Sequence, residues 1–209
     1  MRREPGFQVY LVTDRNVLAP AYSLPAAVEE ALKGGVKAVQ LREKDLGTRN
    51  LLAMAYHLRE LTVRYGAKLF INDRVDIALA VGADGVHLGV SGMPASAARK
   101  AAGEGMLIGV STHGITEAEK AVEEGADFIT LGPIFETPSK LRYGRPLGIE
   151  LLREVRAKIP VPVFAIGGIR KERVASVLEA GASGIALISA ILGSEDIRSN
   201  TEEFMRLLK

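Results

Sequence analysis

Cysteine is absent from the 209 residues, which removes disulfides, thiolate nucleophiles and cysteine-based metal sites together. Tryptophan is absent too, and aromatic residues make up only 5%. Leucine, isoleucine, valine and alanine are therefore expected to fill the core, as they do in barrels of parallel strands. An excess of one charge is missing as well. The formal net charge is +2 and no run of five lysines or arginines occurs, so neither nucleic acid nor an anionic membrane is favoured as a partner. No apolar stretch reaches membrane-spanning length. Met1 to Gly6 carries two arginines with no apolar region behind them, unlike a secretory leader. The expected compartment is the cytoplasm.

What is present is the balance of a globular protein: 47% hydrophobic and 25% charged residues. The length suits one sizeable core, and a single domain over residues 1–209 is expected. A degenerate repeat organises the chain. Four times a helix-like stretch ends in glycine and leads within a few residues into an apolar run: Gly35 to Leu41, Gly82 to Leu88, Gly125 to Leu131 and Gly181 to Leu187. Glycine after a helix reads as a C-cap, because it adopts the left-handed conformation without steric cost. Further apolar runs at Val9 to Val12, Lys68 to Ile71, Met106 to Val110 and Pro162 to Ile166 bring the strands to eight. All are short and nearly continuously apolar, as strands buried on both faces must be. Helical patterns are expected at Leu24 to Lys33 behind Ser23 as N-cap, Asn50 to Tyr65, Ile115 to Glu124, Glu150 to Lys158, Lys171 to Ala180, and Thr201 to Leu208 behind Asn200. Alternation of this kind predicts an α/β fold, a (β/α)8 TIM barrel. The rival, a doubly wound open sheet, lacks its Gly-x-Gly-x-x-Gly after the first strand.

In such barrels the chemistry sits at the C-terminal ends of the strands. There the chain carries Gln40, Arg42 and Lys44 after strand two, all of one parity and so on one side of an extended segment. Two cations and an amide facing one pocket suit a diphosphate. The bland alternative is a solvated strand end whose cations pair with Glu43 and Asp45. Asp73, behind Asn72, is either the cap of a following helix or a Mg²⁺ ligand; Mg²⁺ takes one or two carboxylates together with phosphate oxygens and water. Gly167-Gly168 and Ser189, after strands seven and eight, match a recurring phosphate site built from backbone N–H groups. The long segment from Pro133 to Pro146 carries Thr137, Ser139 and Lys140 and reads as a lid or as a plain surface loop. His57 reads as a surface residue and His87 as a satisfied core or dimer-face histidine. His113 is either an acid–base group or a loop histidine next to a helix. No two histidines have zinc-ligand spacing.

Together Gln40-Leu41-Arg42-Glu43-Lys44, Ile71-Asn72-Asp73, Gly85 to Gly89, Gly109 to His113, Gly132-Pro133-Ile134, Thr137-x-Ser139-Lys140 and Ile166 to Ile169 resemble the thiamine-phosphate synthases and their close relatives, the thiazole tautomerases. The resemblance runs in order from Val9 to about Ile191. It implies condensation of hydroxymethylpyrimidine diphosphate with hydroxyethylthiazole phosphate, by ionisation of the pyrimidine and capture of the cation by the thiazole nitrogen. It implies that Gln40, Arg42, Lys44, Asn72, Ser111 and Lys140 hold the diphosphate substrate, and that Thr137, Ser139, Gly168, Ile188 and Ser189 hold the thiazole phosphate. Asp73 is then the Mg²⁺ ligand. Arg42, Ser111 and Lys140 are the expected catalytic groups at the departing pyrophosphate, with His113 for proton transfer if the chain is a tautomerase. One departure stands out: Gly92 occupies the position of an expected second Mg²⁺-binding Asp. Intact Lys44, Asn72 and Asp73 favour the synthase, since a tautomerase has no diphosphate to hold. A non-catalytic phosphate-binding barrel is a third reading. The sequence does not set the oligomeric state, and a homodimer is left open.

Overall fold

The computed structural model describes residues 4–137 and 145–208. Eight parallel strands close into a barrel in sequence order: β1 (Val9–Val12), β2 (Ala38–Leu41), β3 (Lys68–Asn72), β4 (Gly85–Leu88), β5 (Leu107–Thr112), β6 (Phe128–Leu131), β7 (Val163–Ile166) and β8 (Gly184–Leu187). Closure is made by β1 on β8, with Tyr10 opposite Ala186. The helices are α1 (Leu24–Lys33), α2 (Thr48–Arg64), α3 (Val75–Ala80), α4 (Ala95–Ala102), α5 (Ile115–Glu123), α6 (Gly148–Lys158), α7 (Lys171–Glu179), α8 (Ser189–Leu192) and α9 (Ile197–Leu207). No helix among the described residues is long and apolar enough to cross a membrane. Gly35, Gly82, Gly125 and Gly181, which open the four repeats, all have φ between 60° and 107°. They reverse the chain from helix into strand as their positions require.

Several expected elements differ in detail. The last helix starts at Ile197, capped by Asp196, whose carboxylate accepts from the Ser199 N–H. Asn200 lies inside it and donates to the Ala190 carbonyl instead. Ser23 stands at the N-cap of α1 without a side-chain cap bond. The helices α3, α4 and α8 carry no long apolar stripe: α4 buries only Ala95 and Ala98, so period counting passes over it.

The packing has two layers. Aliphatic side chains fill the space between strands and helices, as the composition implies. The barrel interior does not follow that expectation. It holds Phe7, Tyr10, Phe70, Phe128 and Phe164, with ring centroids such as Phe7–Phe164 at 5.0 Å and Phe70–Phe128 at 5.5 Å. Glycines make room for these rings. A Cβ at Gly85 would lie 2.4 Å from the Phe70 ring and 2.6 Å from the Leu107 carbonyl oxygen, and one at Gly109 would lie 2.4 Å from Phe128. A low aromatic content therefore fills a barrel because it is concentrated there, with glycines making room for the rings.

Gly85→Ala overpacks this interior against a backbone atom that cannot yield. It should cost about 1–3 kcal/mol, read as a lower urea midpoint with an unchanged slope. An unaltered midpoint would mean that the ring-over-glycine packing does not constrain the barrel.

Candidate active site

Parallel closure puts every strand's C-terminal end on one rim, so segments distant in sequence meet there. On the arc after β2, the Arg42 N–H donates to Thr13 Oγ1 at 2.9 Å. Glu43, of opposite parity, turns toward the β1 loop: it is 4% exposed, accepts from the Arg15 N–H at 3.2 Å, and its carboxylate lies 3.7 Å from the Arg15 guanidinium. Burial raises the Glu43 pKa, against hydrogen bonds from Thr13 and Arg15 that lower it. Asp45 also pairs with Arg15. The acids that could have neutralised Arg42 and Lys44 are thus taken by Arg15, and Glu43 does not turn to the metal position. Lys44 lies 3.9 Å from Asp73, while no carboxylate among the described residues lies within ion-pair distance of Arg42.

Asp73 follows β3 with φ at 58°, a conformation that costs a non-glycine residue of order 1–3 kcal/mol. Its carboxylate accepts from the Gly89 N–H at 2.7 Å and from Asn72 Nδ2 at 2.9 Å. The cap position of α3 belongs to Arg74, so Asp73 is not a helix cap. Its bonds hold it across the ends of β3 and β4. At Gly92 a Cβ would lie 2.7 Å from Asp73 Oδ1, so a side chain there would crowd the Asp73 carboxylate, and glycine supplies no second carboxylate. Among the described residues no cluster of three or more His, Asp or Glu forms.

Between these arcs lies a buried polar chain. Gln40 Nε2 donates to Tyr10 Oη at 3.2 Å, Tyr10 Oη lies 3.4 Å from His87 Nδ1, and His87 Nε2 lies 3.0 Å from Ser111 Oγ and 3.4 Å from Thr130 Oγ1. Burial, with the nearby Arg42 charge second, holds the His87 pKa down to about 3. His87 is a satisfied interior histidine, as expected. Tyr10, Thr130, Thr13 and Arg15 were not legible as site residues. Tyr10 packs in the interior with Val12, and a tyrosine in an apolar run reads as packing.

Opposite, Gly167 and Gly168 have φ of 95° and 64°. Cβ atoms there would meet Pro133 Cα at 2.6 Å and the Glu136 carbonyl oxygen at 2.5 Å. The diglycine is therefore the surface on which the start of the β6–α6 segment lies, with Phe135 N–H donating to Gly167 O at 3.1 Å. Arg173 donates to Gly168 O at 2.7 Å and sits 4.5 Å over the Phe135 ring. Leu147 N–H to Pro133 O (2.8 Å) and Gly148 N–H to Ile134 O (3.0 Å) pin the segment's two ends together. Thr137 follows this anchored start, whereas Ser139 and Lys140 lie outside the described residues. Ile188 is the N-cap of α8 and exposed Ser189 its first residue. His113, exposed, lies 3.1 Å from Glu117, which also accepts from the His113 N–H at 2.7 Å. His57 is exposed on α2.

Residues 9–191 match the family model described as thiamine monophosphate synthase. The chain belongs to that family. It is 47% identical to the thiamine-phosphate synthase of Clostridium novyi, over 92% of this chain and 94% of that protein. With the thiamine-phosphate synthase of Chloroflexus aurantiacus it shares 43% identity, over 97% and 93%. The structure of a thiamine phosphate pyrophosphorylase from Pyrococcus furiosus superposes with a TM-score of 0.88 at 40% identity, covering 97% of this chain and 95% of that one. This member of the synthase family keeps the barrel and the motif order.

The buried imidazole gives a pH signature. An unfolded chain binds a proton on His87 below about pH 6.5, whereas the folded one does so only near 3. Its contribution to stability is present above 6.5 and lost as pH falls through that window, with a slope approaching 1.4 kcal/mol per pH unit, an order-of-magnitude figure. Urea unfolding from pH 7 to 4 should show this slope in the wild type and a flatter one in His87→Gln. Equal slopes would mean that His87 is not held neutral.

Proposed function

We propose that this chain condenses hydroxymethylpyrimidine diphosphate with hydroxyethylthiazole phosphate, releasing pyrophosphate and giving thiamine phosphate. The observation that carries this reading is the charge arrangement after β2 and β3. Arg42 and Lys44 stand on one arc of the rim with their sequence-adjacent acids drawn off by Arg15. A diphosphate leaving group needs cations that are not already closely paired, because its charge grows as the bond breaks; Arg42 has no carboxylate within ion-pair distance among the described residues, and Lys44 has Asp73 only at 3.9 Å. The reaction needs no protein nucleophile. It needs the two substrates held in line, and the diglycine after β7 with the start of α8 offers a place for the second phosphate.

In this reading Gln40, Arg42, Lys44, Asn72 and Ser111 hold the pyrimidine diphosphate. Thr137, Gly168, Ile188 and Ser189 hold the thiazole phosphate. Lys140 and Ser139 join the two sets by resemblance. Arg42, Ser111 and Lys140 act on the departing pyrophosphate. The Asp73 donor set fits a Mg²⁺ ion: each carboxylate oxygen takes one hydrogen bond, leaving lone pairs for a cation whose other ligands are phosphate oxygens and water. When bound, the ion supplies further neutralisation of the diphosphate. The tautomerase reading depends on His113, and no observation favours it, since that ring is bonded to Glu117. Phosphorylated substrates do not cross a bilayer unaided, which suits a cytoplasmic enzyme.

The test is to mix protein, both substrates and Mg²⁺ and to follow thiamine phosphate by mass spectrometry. Product is expected. Conversion of the thiazole carboxylate isomer alone would move the assignment to a tautomerase, and binding without either reaction to a sensor. Arg42→Ala should lower kcat/KM by about 10²–10³-fold, the loss typical of one charge-stabilising donor, with an unchanged melting temperature. Asp73→Asn should raise the Mg²⁺ concentration needed for half-maximal rate. If both variants kept full turnover at the wild-type Mg²⁺ requirement, the pocket would be misassigned.

A further inference from the structure

Gln40 and Ser111, on different arcs of the rim, are joined through the buried pair Tyr10 and His87. Each link constrains the next. The Gln40 Nε2 group can only donate, so Tyr10 Oη accepts from it. Tyr10 is fully buried, and its single proton must then go to its other neighbour, His87 Nδ1. A neutral imidazole whose Nδ1 accepts carries its proton on Nε2. That proton goes to Ser111 Oγ at 3.0 Å, with Thr130 Oγ1 at 3.4 Å as a second neighbour. Ser111 Oγ, already accepting, keeps its own proton to donate elsewhere. Ser111 is half-buried at the end of β5, so that donation is available at the rim. At the other end, Gln40 Oε1 has no partner among the described residues and is not sealed from solvent. It is left as an acceptor.

We propose that His87 and Tyr10 are positioning residues that set the hydrogen-bond sense of the mouth, fixing Gln40 as an acceptor and Ser111 as a donor toward a bound substrate. The room for this is built in: a Cβ at Gly109 would lie 2.5 Å from His87 Nδ1, so glycine there lets the imidazole lie flat between Tyr10 and Ser111. A Gln40 amide rotated by half a turn would run the whole chain backwards, with Nδ1 protonated and Ser111 donating inward. The two senses are mutually exclusive and give opposite rims: one offers an acceptor at Gln40 and a donor at Ser111, the other the reverse. The activity arm of the test rests on the synthase reading; the spectroscopic arm does not.

The first measurement is the tautomer of His87 in the intact protein, from ¹⁵N-labelled histidine, with the resonance assigned by its loss in His87→Gln. A proton on Nε2 is expected, and a proton on Nδ1 would overturn the proposal. The second is turnover. His87→Gln keeps an N–H donor aimed at Ser111 and should stay within about tenfold of wild-type kcat/KM, whereas His87→Leu should lose about a hundredfold. In a Ser111→Ala background, the same His87→Leu change should cost less than about twofold, because the two residues act in series. Equal losses in His87→Gln and His87→Leu, or full additivity with Ser111→Ala, would reduce His87 to a packing residue. A wild-type protein that binds substrate but does not turn it over would defeat the synthase reading and leave the tautomer result standing.

Discussion

Aromatic rings inside the barrel, three of them lying over a glycine, decide where polar chemistry can begin. Phe7, Phe70, Phe128 and Phe164 occupy the interior, and no water-sized path is needed to satisfy them. Polar side chains enter only where that packing ends, at Tyr10, Gln40, His87 and Thr130. Tyr10 belongs to both zones: its ring meets Phe70 edge-to-face, centroids 5.2 Å apart, and its hydroxyl bonds Gln40. A buried hydroxyl left without a partner would cost about 1–3 kcal/mol, so packing below and hydrogen bonding above fix one another. The rim inherits its geometry from this junction.

Electrostatics divides the rim by the same economy of partners. Arg15 gathers Glu43 and Asp45 on the outside of the β2 arc. Arg42 and Lys44 are left without these two acids as partners. Removing Arg15 would leave the buried Glu43 carboxylate without its cation, which is the costly way to break such a pair. Asp73 is held by backbone and amide donors rather than by a strong ion pair, since Lys44 stands 3.9 Å away. Its carboxylate is therefore oriented while still open to a cation.

Much of this was readable in the amino-acid order. The four glycines that close helices show the positive φ their spacing implied, and the apolar runs became strands with boundaries shifted by only a few residues. Gln40 is buried in β2, whereas Arg42 and Lys44 stand beyond its last residue, Leu41, where strand alternation is no longer in force. Other features left no local trace. The aromatic interior depends on which rings meet across strands far apart in sequence, and composition pointed instead to aliphatic filling. Arg15 drawing two acids away from the β2 arc is a tertiary contact over 28 to 30 residues. Asp73 offered two readings, cap or ligand, because a short carboxylate before a helix looks alike in both. The cap position falls to Arg74, which excludes the first, and the bond to Gly89 across the strand ends exists only in the fold. Short helices such as α3 and α8 fall below the length at which a period can be counted.

The backbone clasp between Pro133–Ile134 and Leu147–Gly148 has an evolutionary meaning. Its two hydrogen bonds tie the neck of an excursion whose stem already rests on the diglycine of β7. A lineage that gave Gly167 or Gly168 a side chain would displace Pro133, Phe135 and Glu136 as well, so change at the end of β7 has to be matched in the stem that leads to Thr137.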